Sequence, residues 1–426
     1  MLDSKNRVEF TREMKSTYKI LFPNMADIHF RILQKVFINY GYDLEMLTNT
    51  DQRVIDEGLK YVHNDTCYPA LLTIGQLLSA LKSGKYDVNR TAVMMTQTGG
   101  GCRASNYIHL LRKALKNSGM GQVPVISVNV AGLEKNSGFK ITLPLLRRAM
   151  AALAYGDLLM LLNNQVRPYE VNKGESDKNT ARWIDFISEK FARGRAYSQR
   201  EMKSYFRSIV ESYAKIQVKK TPKVKVGIVG EIYVKYAALG NNNLEEFLAS
   251  EDCEVMVPGL LGFVFYCLIN NINDIELYGG SRIKKAVLKL LLRYLTKFES
   301  YLIEAVRAEG SFIAPSRIED VIKLAEQVIG IGCKMGEGWL LPGEIMELID
   351  HGFENVICAQ PFGCLPNHIV GKGMIRKIRS LRPNANIVPI DYDPGATKVN
   401  QENRIKLMLS VAREKLSKEA ISGALC

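Results

Sequence analysis

Residues 355–368, NVICAQPFGCLPNH, form the stretch whose reading decides the fold. Val356 and Ile357 read as a short buried strand, which Pro361, Phe362 and Gly363 break into a loop carrying Cys358 and Cys364. Helical text follows from about Ile369. A strand that feeds a Gly/Pro loop and then a helix is the unit of an α/β domain, and ligands of such domains sit at the carboxyl ends of the strands. Two thiols with five residues between them on such a loop suggest a metal or iron–sulfur site. Thiols that merely pack are the alternative.

Outward from this loop the chain keeps alternating short apolar runs with amphipathic ones. Residues 18–22 (YKILF) read as a first strand, turned by Pro23 and Asn24. A helix over 26–40 follows, with Ile28, Ile32, Leu33, Val36 and Phe37 on one face and Gly41 at its end, and then a strand over 42–47. The apolar run 70–81 can be capped by Asp65 or Thr66, with Pro69 in its first turn. That would put the Cys67 sulfur near a helix N-terminus, which favours a thiolate. A strand at 91–96 (TAVMMT) runs into Gly99, Gly100, Gly101 and Cys102, then a helix to about Lys116 and a strand over 123–130.

From 143 to 220 the text is helical, with runs at 143–162 and 183–216 and a polar loop at 172–179. Strand text restarts at 224–229, just past Thr221 and Pro222, and a strand over 254–257 and another over 385–390 follow. Helices are expected at 244–249, 259–269, 282–306, 318–329, 342–350 and 400–416. The β-α-β succession predicts parallel sheets. The fold expected is α/β: two Rossmann-like parallel-sheet domains, residues 1–142 and 221–426, facing across a cleft, with a helical connecting subdomain over 143–220.

At 426 residues the chain can hold two or three domains with cores of their own, and 47% hydrophobic with 24% charged residues is a globular composition. No run approaches the roughly 20 uninterrupted apolar residues of a membrane span. The start, MLDSKNRVEFTREMK, shows no apolar signal region, so a cytoplasmic location without a membrane is expected. The net charge of +13 is spread along the chain and no nucleic-acid module is visible, so nucleic acid is not expected. The basic surface is read as solvated, with room for an acidic partner protein to dock. Eight cysteines, at 67, 102, 253, 267, 333, 358, 364 and 426, are too sparse for a disulfide scaffold. In a reducing compartment they point to metal or redox chemistry, or to packing.

One pattern occurs twice. TAVMMTQ, glycines, Gly101-Cys102, helix and VPVISV match NVICAQ, Gly363-Cys364, helix and NIVPI. Gln97 precedes Cys102 by five positions and Gln360 precedes Cys364 by four; Cys67 lies 35 before Cys102 and Cys333 lies 31 before Cys364. Structural zinc usually shows close C-x₂-C pairs, which are missing here, whereas scattered loop thiolates suit an iron–sulfur cluster. Neither a phosphate-binding G-x-x-x-x-G-K-[ST] loop nor a G-x-G-x-x-G turn is present, so any ATP is bound by another protein. His63, His109 and His368 lie within a few residues of cysteines and are candidate proton donors, because imidazole titrates nearest neutral pH. Glu231 and Glu337 lie in the motifs GEIYVKY and GEGWLL, without a role assigned by sequence.

Taken together, HNDTCYPA, QTGGGCRASNY, GEIYVKY with GNNN, GEGWLL, CAQPFGCLPNH and IDYDPGATKVNQENRIKLM resemble the 2-hydroxyacyl-CoA dehydratase/benzoyl-CoA reductase superfamily, and within it the branch of double-cubane cluster proteins. The motifs run from about residue 18 to 412. The resemblance implies an [Fe8S9] double-cubane cluster held by six cysteines. Cys67, Cys102, Cys358 and Cys364 match the strongest motifs, and Cys267 and Cys333 complete the six. Cys253 and Cys426 are left out. It further implies a homodimer, a small-molecule substrate, and a separate ATP-hydrolysing activator that carries its own [4Fe–4S] cluster and supplies low-potential electrons. Two rival expectations stand beside this one. The first is a [4Fe–4S] 2-hydroxyacyl-CoA dehydratase subunit working through a ketyl radical, and the second a non-enzymatic electron carrier.

Overall fold

The computed structural model describes residues 7–63, 66–97, 101–129, 134 and 136–423. Asp65, Gly99, Gly100 and Cys426 lie outside them. Two compact units divide the chain, residues 1–149 and 150–426.

The first unit runs β1 (Lys19–Pro23), α1 (Asp27–Asn39), β2 (Asp43–Leu47), α2 (Gln52–Tyr61), α3 (Tyr68–Lys82), β3 (Thr91–Thr96), α4 (Tyr107–Asn117) and β4 (Val125–Val128), before α5 (Leu143–Val166) begins. All strand pairs are parallel, in the order β2-β1-β3-β4. The side-chain period of two splits each strand between two cores. Leu21, Val93, Met95 and Val125 pack with Ile74, Leu77, Leu78 and Leu111 of α3 and α4. Ile20, Phe22, Ala92, Met94 and Ile126 pack on the other face with Phe10, Tyr42 and Phe139. Strands covered on both faces read as continuous apolar runs, which is why YKILF and TAVMMT lack alternation.

The second unit continues with α6 (Glu175–Ala192), α7 (Gln199–Ala214), β5 (Val224–Gly230), α8 (Ile232–Tyr236), α9 (Ala238–Asn241), α10 (Leu244–Ser250) and β6 (Cys253–Met256). Then come α11 (Leu260–Tyr278), α12 (Arg282–Glu309), α13 (Ile318–Glu326), α14 (Leu340–Asp350), β7 (Asn355–Pro361), α15 (Leu365–Val370), α16 (Ile375–Leu381), β8 (Asn386–Tyr392) and α17 (Lys398–Gly423). Its sheet is again parallel, in the order β6-β5-β7-β8. The α/β class with two parallel sheets and helical parts is therefore as read from the sequence. In both sheets the strand order reverses between the first and third strands, the place where doubly wound sheets open a crevice at their carboxyl ends.

Three local expectations change. β7 does not stop after Ile357: every residue from Asn355 to Pro361 has a partner on β8, and Cys358 lies opposite Val229 and Pro389. Cys358 is thus inside the sheet and not on the loop. α15 starts directly after Cys364 instead of near Ile369. The polar loop at 172–179 is cut short because α6 begins at Glu175, where the Glu170 carboxylate accepts the backbone N–H groups of Gly174 and Ser176. Among the described residues one helix, α11, is long and apolar enough by length and composition to cross a membrane. Its Asn270 is buried and accepts the Trp339 indole N–H at 2.9 Å, the behaviour of a core helix.

Candidate functional site

In the first unit, β3 leads through Gly101 to Cys102, which heads the 3₁₀ turn Arg103–Asn106 and so α4. Cys67 precedes α3 with extended backbone (φ −63°, ψ 149°), and Pro69 stands in the first turn. Thr66 is not the cap, because the helix starts one residue later than the sequence suggests. The Cys67 Sγ lies 2.6 Å from the Tyr107 hydroxyl at the start of α4. One tyrosine thus ties the Cys67 loop to the helix that Cys102 introduces. Both thiols are half-buried and unbridged.

The second unit repeats this frame. β7 leads through Gly363 (φ +71°) to Cys364, which heads α15 with Pro366 in its first turn. The glutamine that precedes each cysteine does the same work in both units. Gln97 donates to the Ser105 carbonyl at 3.0 Å and accepts from Ser127 on β4 at 2.8 Å. Gln360 donates to Asp391 on β8 at 2.7 Å and lies 3.4 Å from the His368 Nε2. Each glutamine braces the third strand to the fourth and to the helix beyond the cysteine.

Around Cys364 three elements converge. The turn from Cys333 to Trp339 is closed by the Trp339 N–H donating to the Cys333 carbonyl at 2.7 Å. Gly338 (φ +47°) has no room for a side chain: a Cβ would lie 2.3 Å from the Cys333 oxygen and 2.4 Å from the Tyr266 hydroxyl. Gly336 (φ +61°) sits against Pro366 in the same way, at 2.7 Å. These contacts press the turn between α11, which carries Tyr266 and Cys267, and the Cys364 loop. Tyr266 donates to the Lys334 carbonyl at 2.6 Å.

Glu337, at the centre of the turn, is 7% exposed. Its carboxylate accepts the Ile232 N–H at 3.0 Å and the Asn367 side-chain amide at 2.6 Å. Asn367 also reaches the Cys364 sulfur, at 3.4 Å. Glu231, the residue after β5, accepts the Val234 N–H at 2.9 Å and caps α8. The site therefore occupies the crevice at the ends of β5 and β7.

The electrostatics follow from burial. Desolvation, with the Glu337 carboxylate adding to it, pushes the Cys267 thiol up to about 11 and the Cys364 thiol up to about 12. Burial also raises Cys333. Burial and the neighbouring Glu337 push Glu231 up to about 8, and burial raises Glu337 against the pull of its N–H donors. Burial and like charge together disfavour ionising both carboxyl groups. Cys358 is pushed up to about 12 by burial alone, so neither carboxylate reaches it.

Of the cysteines singled out in sequence, Cys267 and Cys364 lie where the Glu337 carboxylate acts on them and Cys333 opens the turn that carries Glu337. Cys67 meets Tyr107, Cys102 heads the turn that leads into α4, and Cys358 stays within the sheet. Cys253 begins β6, buried, with Glu251 as its contact. His63 and His109 are exposed. His368 is held by the Cys364 carbonyl at its Nδ1 (2.8 Å) and by Asp391 at 3.3 Å, which makes it a brace for the loop. Lys235 and Glu344, a buried ion pair with Nζ–Oε distances of 3.0 and 3.1 Å, were not picked out. Their signal was visible: Glu344 and Glu347 put buried charge into the otherwise apolar text WLLPGEIMELI.

The donor chemistry of the unit 2 pocket fits an iron–sulfur cluster in that its three thiols are unbridged and stand on separate elements, and the Asn367 amide donates to the Cys364 sulfur. Among the described residues no three His, Cys, Asp or Glu side chains are gathered as a site for a single metal ion. A cluster differs from a single ion in that its ligand sulfurs bind different irons and stand further apart. The chain matches no protein-family model, no curated protein and no solved structure.

Proposed function

We propose that the chain is an iron–sulfur reductase that takes low-potential electrons from a separate ATP-hydrolysing protein with a [4Fe–4S] cluster and uses them to reduce a small molecule. The cluster in this reading is the [Fe8S9] double cubane, the active form is a homodimer and the location is cytoplasmic. The observation that carries it is that Glu337, on the turn that Cys333 opens, is tied through Asn367 to Cys364 and acts on both Cys267 and Cys364 in the crevice beyond β5 and β7.

Cys267, Cys333 and Cys364 would hold the cluster in this unit, and Cys67 and Cys102 are the candidate ligands of the first. When bound, the cluster supplies storage and release of electrons at low potential. Everything else falls to side chains. The thiols are protonated in the free protein and lose those protons on ligation, so cluster binding weakens as pH falls. Asn367 donates to both Cys364 and Glu337 and fixes their spacing, the second-shell role that orients a ligand. Glu231 and Glu337, both raised by burial, would give a proton to a reduced substrate.

The test is anaerobic purification with iron and sulfide counted per chain, followed by electron consumption with the ATP-hydrolysing donor. About eight irons, as [Fe8S9] demands, supports the reading, and about four favours a dehydratase subunit. Iron-free active protein, or an iron-loaded protein that consumes no electrons beyond the donor's own ATPase background, overturns it.

A further inference from the structure

Unit 2 buries a lysine and a row of carboxyl groups that lead away from the thiols. Glu344, Glu347 and His351 follow one another at intervals of three and four residues, one face of α14 and its end. Lys235 pairs with Glu344, and Glu231 caps the same helix four residues earlier, its carbonyl accepting the Lys235 N–H at 2.7 Å, so the two stand one turn apart on α8. Beyond Glu347 lies a cavity of about 100 Å³, whose polar lining is Asp157, Glu299, Ser316, Glu344, Glu347 and His351. That volume accommodates several waters, and these side chains are the partners waters require.

The roles on the cavity wall differ. Asp157 is committed, accepting the N–H groups of Leu260 at 2.6 Å and Leu261 at 3.0 Å at the start of α11. Glu347 accepts the Ser316 N–H at 2.6 Å, and the Ser316 hydroxyl lies 3.4 Å from the His351 Nε2. The Glu299 Oε1 accepts the Ile318 N–H, while its Oε2 is buried with no hydrogen-bond partner. Glu299, Ser316 and His351 are the half-buried members, so the cavity meets solvent on their side.

We propose that this file carries protons from the cavity to the thiol pocket, with Glu299 and Glu347 taking them up, Glu344 and Lys235 passing them, and Glu231 receiving them. The proposal rests on the reductive reading of that pocket, because a proton-consuming reaction is what needs the supply. Each step breaks an O–H or N–H bond on the donor and makes one on the acceptor. Once Glu231 has given up its proton, the Lys235 ammonium donates one to the Glu231 carboxylate. Glu347 then passes a proton through cavity water to the ionised Glu344, which hands it to the Lys235 amine, so the ion pair is restored after each proton.

Four carboxyl groups around one ammonium in a dry interior cannot all be ionised, so protons remain on the file near neutral pH. The groups facing it are Asp157 from α5, Lys235 from α8, Glu299 and Arg307 from α12, Arg317 and Glu319 at the start of α13, and Asp350 and His351 from α14. Against that background burial pushes Glu347 up to about 7 and Glu299 up to about 8, the range in which a relay both takes and gives.

Infrared spectroscopy tests this without any substrate. The band of the protonated Glu231 carboxyl, assigned by its loss in Glu231→Gln, shifts when H₂O is replaced by D₂O. The proposal expects that shift to slow about 100-fold or more in Glu347→Gln, the low end of the usual worth of a placed proton carrier. Glu347→Gln keeps an acceptor for Ser316, so its fold is preserved, and Glu344→Gln is the second variant. Shifts at the wild-type rate in both variants overturn the proposal. A slowed shift in a protein that reduces no acceptor upholds the file and overturns the reductive reading alone.

Discussion

The two sheets have one frame and opposite interiors. Both send a third strand into a Gly-Cys step, brace it with a glutamine, and place the cysteine at the head of a helix. In the first unit the neighbour of Cys67 is a tyrosine, and the buried acid Glu134 is matched by Arg112 and Arg7. Those guanidinium groups outweigh desolvation and hold Glu134 below the usual carboxylate range. In the second unit buried carboxyls outnumber the cations around them, and Glu231, Glu299 and Glu347 are all pushed up. A repeated backbone thus positions thiols in both units, while the charges packed behind it give only the second a store of protons.

The comparison breaks most readily at its buried cations. Lys235→Met leaves Glu344 unpaired in the interior and is expected to cost unit 2 about 3–5 kcal/mol. Arg112→Met leaves Arg7 beside Glu134 and should cost unit 1 only about 1–2 kcal/mol. Both tryptophans, Trp183 and Trp339, belong to unit 2, so urea titration followed by their fluorescence reads that unit, and amide exchange in α4 reads the other.

The response to pH should differ in sign. Glu231, Glu299 and Glu347 hold their protons more tightly folded than unfolded, so their stabilisation is full below about pH 4.5. It is then lost as pH rises to about 7 for Glu347 and about 8 for the other two, each costing up to about 1.4 kcal/mol per pH unit. Glu134, held low, contributes in the opposite sense: its stabilisation is present above about pH 4.5 and lost as pH falls. Urea midpoints for unit 2 that are flat between pH 5 and 8 would remove the distinction.

Smaller effects sharpen it. Gly338→Ala should cost about 2–3 kcal/mol, from strain at positive φ plus the clash with Cys333 and Tyr266. Gly119→Ala in unit 1, at φ +78° with open space around it, should cost only about 1 kcal/mol. Tyr107→Phe removes the contact to the Cys67 sulfur for about 0.5–1 kcal/mol and should speed alkylation of that thiol, read by mass spectrometry.

The parallel sheets were legible in sequence because strands buried on both faces are short apolar runs between turns, as in TAVMMT and VKVGIV. The duplicated Gln and Gly-Cys steps were legible for the same reason that they recur: each braces a strand end. What escaped was whatever depends on contacts distant in sequence. α2 is only ten residues long, polar on average and interrupted by Gly58, so its text does not announce a helix. Cys358 read as a loop residue because Gln360 and Pro361 look like a turn, whereas pairing to β8 carries the strand through both. Lys235 and Glu344 lie 109 positions apart, and nothing local says that they meet.

The central claim is that Cys364 stands in a cluster-binding pocket and Cys253 does not. Iron and acid-labile sulfide counted in anaerobically purified Cys364→Ser and Cys253→Ser proteins test it most directly. Cys364→Ser should lose most of its iron and sulfide while Cys253→Ser keeps the wild-type content. Iron retained in Cys364→Ser, or lost in Cys253→Ser alone, contradicts it.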